Sequence, residues 1–254
     1  MDVIRRATEL LSAGKCFCLV TVLTSGRPDA PPGLKALVSG VEKPGHLPFP
    51  PDLGPGLLDL ALAALSDKES RTAEAGPGLV VFLDFIAAEA ELLICGAGHI
   101  ALPLARFAAE AGFRVTVLDD RPDFASPSRF PGCAVIAEDF ARALRSMPFG
   151  PSSYAVVITR GHEHDAECLA EILPKETAYT GLIGSRRRVA FVLATLGEKG
   201  LPKKRLEEVF TPIGLPIGSE SPGEIALYIA AELVCVRRLG APAAKALRAA
   251  QGGK

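Results

Sequence analysis

The second half of the chain alternates between short apolar runs and longer amphipathic stretches. The apolar runs are predicted strands: ELLIC at 91–95, FRVTVL at 113–118, AVIA at 134–137, YAVVIT at 154–159 and AYTGLI at 178–183. Helices are predicted between and after them, over 99–111, 139–146, 165–173 and 186–196. Strands separated by helices of about 10–15 residues are typical of β-α-β units with right-handed crossovers. The pattern therefore predicts a doubly wound parallel sheet of the α/β class.

The first half has a different pattern, in which a long stretch rich in Pro and Gly separates the regular elements. The apolar residues of 3–11 follow helical spacing, and CFCLVTVL at 16–23 indicates a buried strand. Between residues 25 and 56, proline and glycine exclude a continuous helix, which leaves turns and short strands such as LKALV at 34–38. The remaining predicted elements are a helix over 57–65 and a strand over 79–85.

The two patterns meet near residues 86–90, where mixed polar and apolar residues bridge two strand-like runs. We expect a small α+β domain over residues 1–88. An α/β domain should follow over residues 89–254 and end in a helix and a tail. The tail from Gly240 is rich in Ala and Gly, and we expect it to fray.

Composition and charge narrow the classes of function. The 254 residues are 48% hydrophobic and 22% charged, and 28 basic against 29 acidic residues give a formal net charge of −1. Without a basic patch, nucleic acids and anionic membranes are not expected partners. The apolar stretch at 79–98 contains three acidic residues, so no transmembrane helix is expected. Six cysteines without a C-x-x-C pair, and an N-terminal apolar run too short for a signal peptide, indicate the reducing cytoplasm.

A glycine-rich turn follows the first predicted strand of the α/β domain. Gly96, Gly98 and Ala101 match the pattern G-x-G-x-x-A between an apolar strand and a helix. In a Rossmann-like fold the first glycine permits the tight turn, the second lets a phosphate approach the backbone, and the alanine allows close helix packing. Asp119 ends the next strand, where a carboxylate can hydrogen-bond a dinucleotide's ribose, and His99 would border a phosphate from the first helical turn. Alternatively, the glycines only shape a turn, and Asp119 and His99 are solvated.

The densest cluster of polar residues is TRGHEHD at 159–165, at the carboxyl end of a predicted strand. Open α/β sheets bind their ligands at this end of the strands. Three chemistries fit the cluster: a metal site from His162, His164 and Asp165, general acid–base catalysis by His162, or anion binding at the helix N-terminus. The alternative is a polar loop that only caps the helix.

Arginines lie on two further loops of the same predicted edge. Ser185 can cap a helix while Arg186 and Arg187 face an anion, although arginine in a first turn opposes the helix dipole. Arg121 and Arg129 lie on the loop RPDFASPSRFPG, where they could clamp a phosphate or a carboxylate. In both places the alternative is a solvated basic loop.

Five motifs together resemble a known family. CGAGHIA, DDRPDFASPSRFP, TRGHEHD, YTGLIGSRRR and PIGLPIGSESPGEIALYIAAELV, in this order, are similar to the C-terminal Rossmann domain of the xanthine dehydrogenase accessory (XdhC/CoxI) family. The resemblance covers about residues 79–239. It implies a maturation factor that binds molybdenum cofactor (molybdopterin), supports its sulfuration and delivers it to a molybdenum hydroxylase apoenzyme. A cysteine desulfurase is a second implied partner, and a homodimer is compatible with the resemblance.

The resemblance also implies which residues bind the cofactor. By matching motif these are Gly96, Gly98, His99, Asp119, Arg121, Arg160, Gly161, His162, Asp165, Gly184, Ser185 and Arg186. The N-terminal half is a weaker match, in which Pro31, Pro32, Gly33 and Lys35 correspond to a P-P-G-x-K segment. The family's following G-G-C-x-E loop has no counterpart, since GVEKPGHLPFPP stands in its place. We therefore expect cofactor binding, with the sulfuration step altered or carried out with another partner.

Three functions compete at this point. The first is a cofactor chaperone, which requires affinity and controlled release rather than turnover. The second is an oxidoreductase dependent on NAD(P) or a flavin such as FAD, which the glycine pattern alone would suggest. The third is a metal-dependent hydrolase built on His162 and His164. Independently of the metal, His162 is the candidate catalytic residue. The polar clusters at 159–165 and 184–188 exceed what dinucleotide binding requires, and they favour the first.

Overall fold

The chain forms two units, residues 1–88 and residues 89–254, in a computed structural model that describes residues 3–40, 48–218 and 220–251. The first unit contains α1 (Val3–Ser12), β1 (Phe17–Thr24), β2 (Lys35–Val38), α2 (Gly54–Asp67), β3 (Arg71–Gly76) and β4 (Leu79–Ile86). Its sheet has the order β2-β1-β4-β3, and each neighbouring pair is antiparallel. Helix α2 packs its buried apolar face on this sheet. The segment that replaces the G-G-C-x-E loop lies mostly outside the described residues, since 41–47 belong to the gap.

The second unit is larger and alternates strands with helices. In chain order it contains β5 (Glu91–Cys95), α3 (Ala101–Glu110), β6 (Arg114–Asp119), β7 (Ala134–Ala137), α4 (Phe140–Ser146), β8 (Ser153–Val157), α5 (His162–Ile172), β9 (Tyr179–Leu182), α6 (Arg186–Glu198), α7 (Lys203–Glu208), α8 (Pro222–Leu239) and α9 (Ala241–Gln251). The strand order is β7-β6-β5-β8-β9, and all four pairings are parallel. The predicted α/β class, with a small α+β unit before a Rossmann-like doubly wound parallel sheet, is therefore confirmed.

Both faces of the parallel sheet are covered, which explains why its central strands are apolar throughout. Leu92 and Ile94 of β5 face a core shared with α3 and α8. Leu93 and Cys95, on the opposite face, contact a core shared with α4, α5 and α6. The chain leaves β5 toward β6 on one side and returns to β8 on the other, so the topological switch point lies between β5 and β8. Ligands of this architecture bind at the switch point, outside the carboxyl ends of the strands.

Three local expectations need correction. His99 does not lie in the first helical turn, because the turn after β5 extends to Ile100 and α3 begins only at Ala101. Helix α5 begins at His162, three residues earlier than predicted. The tail does not fray from Gly240, because α9 packs on α8 and buries Ala244 completely. Among the described helices, none is long and apolar enough to cross a membrane.

A buried carboxylate explains why the C-terminal helix is held. Glu232 of α8 is fully buried and accepts hydrogen bonds from the Tyr179 hydroxyl (2.6 Å) and the Gly214 N–H (3.0 Å). Arg248 of α9 donates to the same carboxylate at 2.7 Å. Burial and the neighbouring Glu232 charge raise the pKa of Tyr179 well above its usual value, so the hydroxyl stays a donor. The ion pair thus attaches α9 to the core.

Replacing Arg248 with Met should destabilise the protein by about 3 kcal/mol, because it leaves a buried carboxylate without its cation. Arg142→Met is the matched control, since the Arg142 side chain is 82% exposed in its pair with Glu138. The control should cost under about 1 kcal/mol. Urea denaturation of both variants measures the two losses of unfolding free energy. Equal losses would contradict the assignment of α9 to the folded core.

Candidate functional site

The predicted site residues follow four strands of the parallel sheet, at the edge where those strands end. The loops concerned are 96–100 after β5, 120–130 after β6, 158–161 after β8 and 183–185 after β9. We call these loops, with the first turns of α3, α5 and α6, the carboxyl-edge site. A cavity of about 450 Å³ opens at the opposite edge, around Glu91, Arg114 and Tyr154, and none of the predicted site residues lines it.

The two glycines of the glycine-rich loop have different surroundings. Gly96 has a φ of +108°, and a Cβ placed on it would lie 2.6 Å from the Ile158 carbonyl oxygen. The loops after β5 and β8 therefore touch at Gly96, where only glycine fits. A Cβ on Gly98 would meet no described atom within 4 Å, so space is open above this residue. No described side chain caps α3, and His99 is exposed beside the loop.

Asp119 attaches the glycine-rich loop to the end of β6. Its carboxylate, in a residue that is only 1% exposed, accepts the Ala97 N–H at 2.8 Å. It also accepts Nε (2.8 Å), Nη2 (2.9 Å) and the backbone N–H (3.1 Å) of Arg121. Burial opposes ionisation, but these hydrogen bonds outweigh it and lower the pKa of Asp119 below its usual value. Both oxygens are thus engaged by the chain's own donors, and ribose binding by Asp119 stays a prediction.

Both arginines of the loop after β6 contact other residues of the same unit. The guanidinium of Arg121 lies 3.7 Å above the ring centroid of Phe124. Arg129 donates from Nη1 to the carbonyl oxygens of Ala97 (3.0 Å) and Phe124 (2.6 Å). Together with Asp119, these contacts attach the 120–130 loop to the glycine-rich loop.

A second buried carboxylate connects the loops after β8 and β9. Asp165 is fully buried and accepts a hydrogen bond from the Thr159 hydroxyl at 2.6 Å. Arg188 donates from Nε to Asp165 at 2.7 Å and from Nη2 to the Thr159 carbonyl at 3.2 Å. Burial is the largest influence on Asp165 and raises its pKa above the usual value despite these bonds. The pair fixes the start of α5 against the start of α6.

Arg188 is the residue that sequence reasoning missed at this site. The sequence pattern predicted that Arg186 and Arg187 face an anion, and both are exposed rather than paired with Asp165. Ser185 does cap α6, as its hydroxyl accepts the Arg188 N–H at 3.3 Å, with Gly184 immediately before it. The signal lies in that cap, because helical side chains point toward the helix N-terminus, so Arg188 in the first turn reaches the loop after the neighbouring strand β8. A buried Asp165 then requires a cation nearby, and Arg188 supplies it.

Of the remaining residues of the TRGHEHD motif, Arg160, His162 and Glu163 are exposed, whereas His164 is half-buried and its ring contacts the ring of Phe140. Arg160 is exposed and forms an ion pair with Asp120. His162, in the first turn of α5, presents its ring edge-on to Phe191 with 5.2 Å between centroids. Gly161 is the N-cap of α5, and no described side chain caps this helix. Within the described residues, no group of three or more His, Cys, Asp or Glu could hold a metal ion.

The structure therefore brings the predicted residues to one edge in two layers. The inner layer consists of carboxylates and arginines that bind one another. The outer layer consists of Gly98, which has open space around it, and of four exposed side chains on the loops and first helical turns of this edge: His99, Arg160, His162 and Arg186. A polar, phosphate-bearing ligand could use backbone N–H groups, guanidinium groups and imidazoles from this layer.

A family model identifies the second unit. The model described as the XdhC Rossmann domain matches residues 92–233, which is more than half of the chain. The chain belongs to the XdhC family. The resemblance read from the five motifs is thereby confirmed, and the XdhC Rossmann domain contains the whole carboxyl-edge site.

Two relatives of this XdhC chain and one solved structure are similar to it over much of its length. The uncharacterized protein YqeB of Escherichia coli is 31% identical over 166 residues, 65% of this chain and 30% of YqeB. A probable xanthine dehydrogenase subunit of Bacillus subtilis is 33% identical over 159 residues, 62% of this chain and 46% of that protein. The matches thus span less than half the length of either relative. A crystal structure titled as a xanthine dehydrogenase from Bacillus halodurans superposes with a TM-score of 0.62 at 25% identity, over 93% of this chain and 64% of that one.

Replacing Gly96 or Gly98 with alanine should have different effects on stability. Gly96→Ala forces a Cβ against the Ile158 carbonyl at a positive φ, and we expect a loss of at least ~2 kcal/mol of unfolding free energy. Gly98→Ala, in open space at an ordinary φ, should change it by under about 0.5 kcal/mol. Thermal and urea unfolding measure both, and a destabilised Gly98→Ala would show that the space above the loop is not open.

Asp119→Asn should produce a pH-dependent loss of stability. The folded pKa of Asp119 lies below its usual value, so its ionisation stabilises the fold above about pH 4, and this stabilisation disappears as the pH falls through the folded pKa. We expect the variant to lose about 2 kcal/mol at pH 7, and the difference from the parent to shrink toward pH 3. Urea midpoints at pH 7, 5 and 3 test this. A difference that is constant with pH would show that the charge of Asp119 is not involved.

Proposed function

We propose that this chain acts in the maturation of a molybdenum hydroxylase of the xanthine dehydrogenase type. In this role it binds molybdenum cofactor at the carboxyl-edge site, supports its sulfuration and delivers it to the hydroxylase apoenzyme. Membership of the XdhC family and the xanthine dehydrogenase names of a relative and of a structural neighbour support the proposal. The observation that carries it is the open space above Gly98, next to an uncapped helix and exposed arginine and histidine side chains.

The residues at this edge fit the phosphate of such a cofactor. Helices α3, α5 and α6 all begin here, and their N-termini carry partial positive charge. The open space above Gly98 lets an oxyanion approach backbone N–H groups that no described side chain caps. Arg160 and Arg186 add exposed positive charge on the neighbouring loops. The fit is therefore to an anionic group at the loop with a polar ring system beside it.

Four residues of the outer layer then have a definable task. Gly98 and the first turn of α3 hold the phosphate, and Arg160 and Arg186 neutralise it. His162, held edge-on by Phe191, orients the ring system through a hydrogen bond. When bound, the cofactor supplies the redox-active metal that the recipient hydroxylase requires. No turnover by this chain is needed, because a carrier depends on affinity and release.

The cellular setting and partners follow from the same proposal. All six cysteines are free thiols, which suits a reducing cytoplasm. Since the chain lacks the family's G-G-C-x-E loop, a cysteine desulfurase would provide the sulfur, and the hydroxylase apoenzyme would accept the finished cofactor.

The test uses protein purified from a host that makes molybdenum cofactor. Mass spectrometry of the small molecules that the folded protein releases should detect a pterin phosphate. Gly98→Val fills the space above the loop, so we expect retention to fall about tenfold or more. Gly56→Val is the matched control, because Gly56 is an exposed glycine of α2 with similarly open surroundings and should leave retention unchanged.

A second experiment distinguishes a cofactor carrier from an enzyme. Replacing Arg160 and His162 with Ala should lower both cofactor retention and activation of a recipient molybdenum enzyme, with the circular dichroism spectrum unchanged. Loading of the recipient as efficient as with the parent would refute these roles. A parent protein that retains no pterin but reduces NAD(P) with some substrate would replace the proposal with the dinucleotide-dependent oxidoreductase.

A further inference from the structure

An exposed ion pair bridges the carboxyl edge across the strand that carries the glycine-rich loop. Arg160 follows β8, Asp120 follows β6, and β5 lies between these two strands. Nη1 and Nη2 of Arg160 donate to the two carboxylate oxygens of Asp120 at 2.5 and 2.8 Å. The pair thus joins the loops on either side of β5, the strand whose own loop carries Gly98.

We propose that this ion pair is a latch that limits how tightly the carboxyl-edge site holds its ligand. The ligand's phosphate takes Arg160 from Asp120 on binding, and Asp120 takes Arg160 back on release. The inference rests on the proposed function in one respect, that the ligand brings a phosphate to this edge. It goes further by giving Asp120, which the proposed function does not use, a role in release.

Burial decides which ion pair at this edge can open. The carboxylates of Asp119 and Asp165 belong to residues that are at most 1% exposed, so separating either from its arginine would leave a buried charge unpaired. Asp120 and Arg160 have side chains that are 26% and 42% exposed, and water can solvate both when they part. Of these three pairs, Arg160–Asp120 is therefore the one that exchanges partners at low cost.

The charges of Asp120 and of the ligand's phosphate determine which of the two binds Arg160. The hydrogen bond from Arg160, then the charges of Arg160 and His164, lower the pKa of Asp120 to about 2, against the effect of burial. Asp120 is consequently an anion at neutral pH and competes for Arg160. A phosphomonoester carries about 1.5–2 negative charges at pH 7 against one for the carboxylate, so the phosphate prevails once the loop holds it.

A double-mutant cycle on the full chain tests the latch, with pterin fluorescence reporting the dissociation constant of added molybdenum cofactor. Asp120→Asn should tighten binding about two- to fivefold, the range of an exposed ion pair, and slow cofactor transfer to the recipient apoenzyme. Arg160→Gln should weaken binding, and Asp120→Asn should have no further effect in that background. Glu171→Gln, which removes one acidic partner of Arg145 away from this edge, is the control for net charge and should change nothing.

The outcomes separate the latch from simple repulsion and from the proposed function. Equal tightening by Asp120→Asn with and without Arg160 would mean repulsion alone and overturn the latch, as would no tightening. If the parent binds no cofactor, the proposed function fails, and titration with inorganic phosphate decides the latch independently. Phosphate should then shift the Arg160 side-chain N–H resonance in NMR spectra, more strongly in Asp120→Asn. An unmoved resonance would overturn the latch.

Discussion

The buried carboxylate of Asp119 is the contact on which the carboxyl-edge site depends. It accepts the Ala97 N–H and three donors of Arg121, and so fixes the glycine-rich loop to the end of β6. The close approach of Gly96 to Ile158 fixes the same loop to the end of β8. With both sides held, the loop leaves its outer surface, above Gly98, as the free surface. A ligand would meet a site that is already formed, and little ordering free energy would be lost on binding.

The arginines of this edge divide into structural and available groups by their exposure. Carboxylates and carbonyls of the chain accept hydrogen bonds from Arg121, Arg129 and Arg188. Arg160, Arg186 and Arg187 remain at the surface. A site in which all six arginines were freely available would hold a phosphate tightly and release it slowly, whereas this arrangement gives the ligand limited positive charge. That distribution agrees with the release of the cofactor in the proposed function.

The sheet could be predicted from the sequence because burial on both faces makes its central strands, β5 and β8, almost entirely apolar. Strand β3 escaped prediction because RTAEAG alternates half-buried and exposed residues without a strongly apolar face. Helix α9 escaped because its attachment depends on Arg248 reaching Glu232, sixteen residues earlier in the chain, which no local pattern reveals. At the site, the sequence indicates the edge and its exposed residues. It does not show which arginines are engaged, because pairing depends on side-chain contacts between loops far apart in the chain.

The cysteines explain why the sulfur step is assigned to a partner in the proposed function. A thiolate, rather than a thiol, attacks or carries sulfur. Burial raises the pKa of Cys168 well above its usual value, and desolvation also raises the pKa of Cys18, Cys133 and Cys235. Cys95 directly precedes the glycine-rich loop, but it is fully buried against the core on the far face of β5. Thiols in these surroundings pack as small apolar side chains, and the exposed Cys16 belongs to the first unit rather than to the carboxyl-edge site. In the proposed function the site therefore holds and releases a cofactor, while another protein supplies the reactive sulfur.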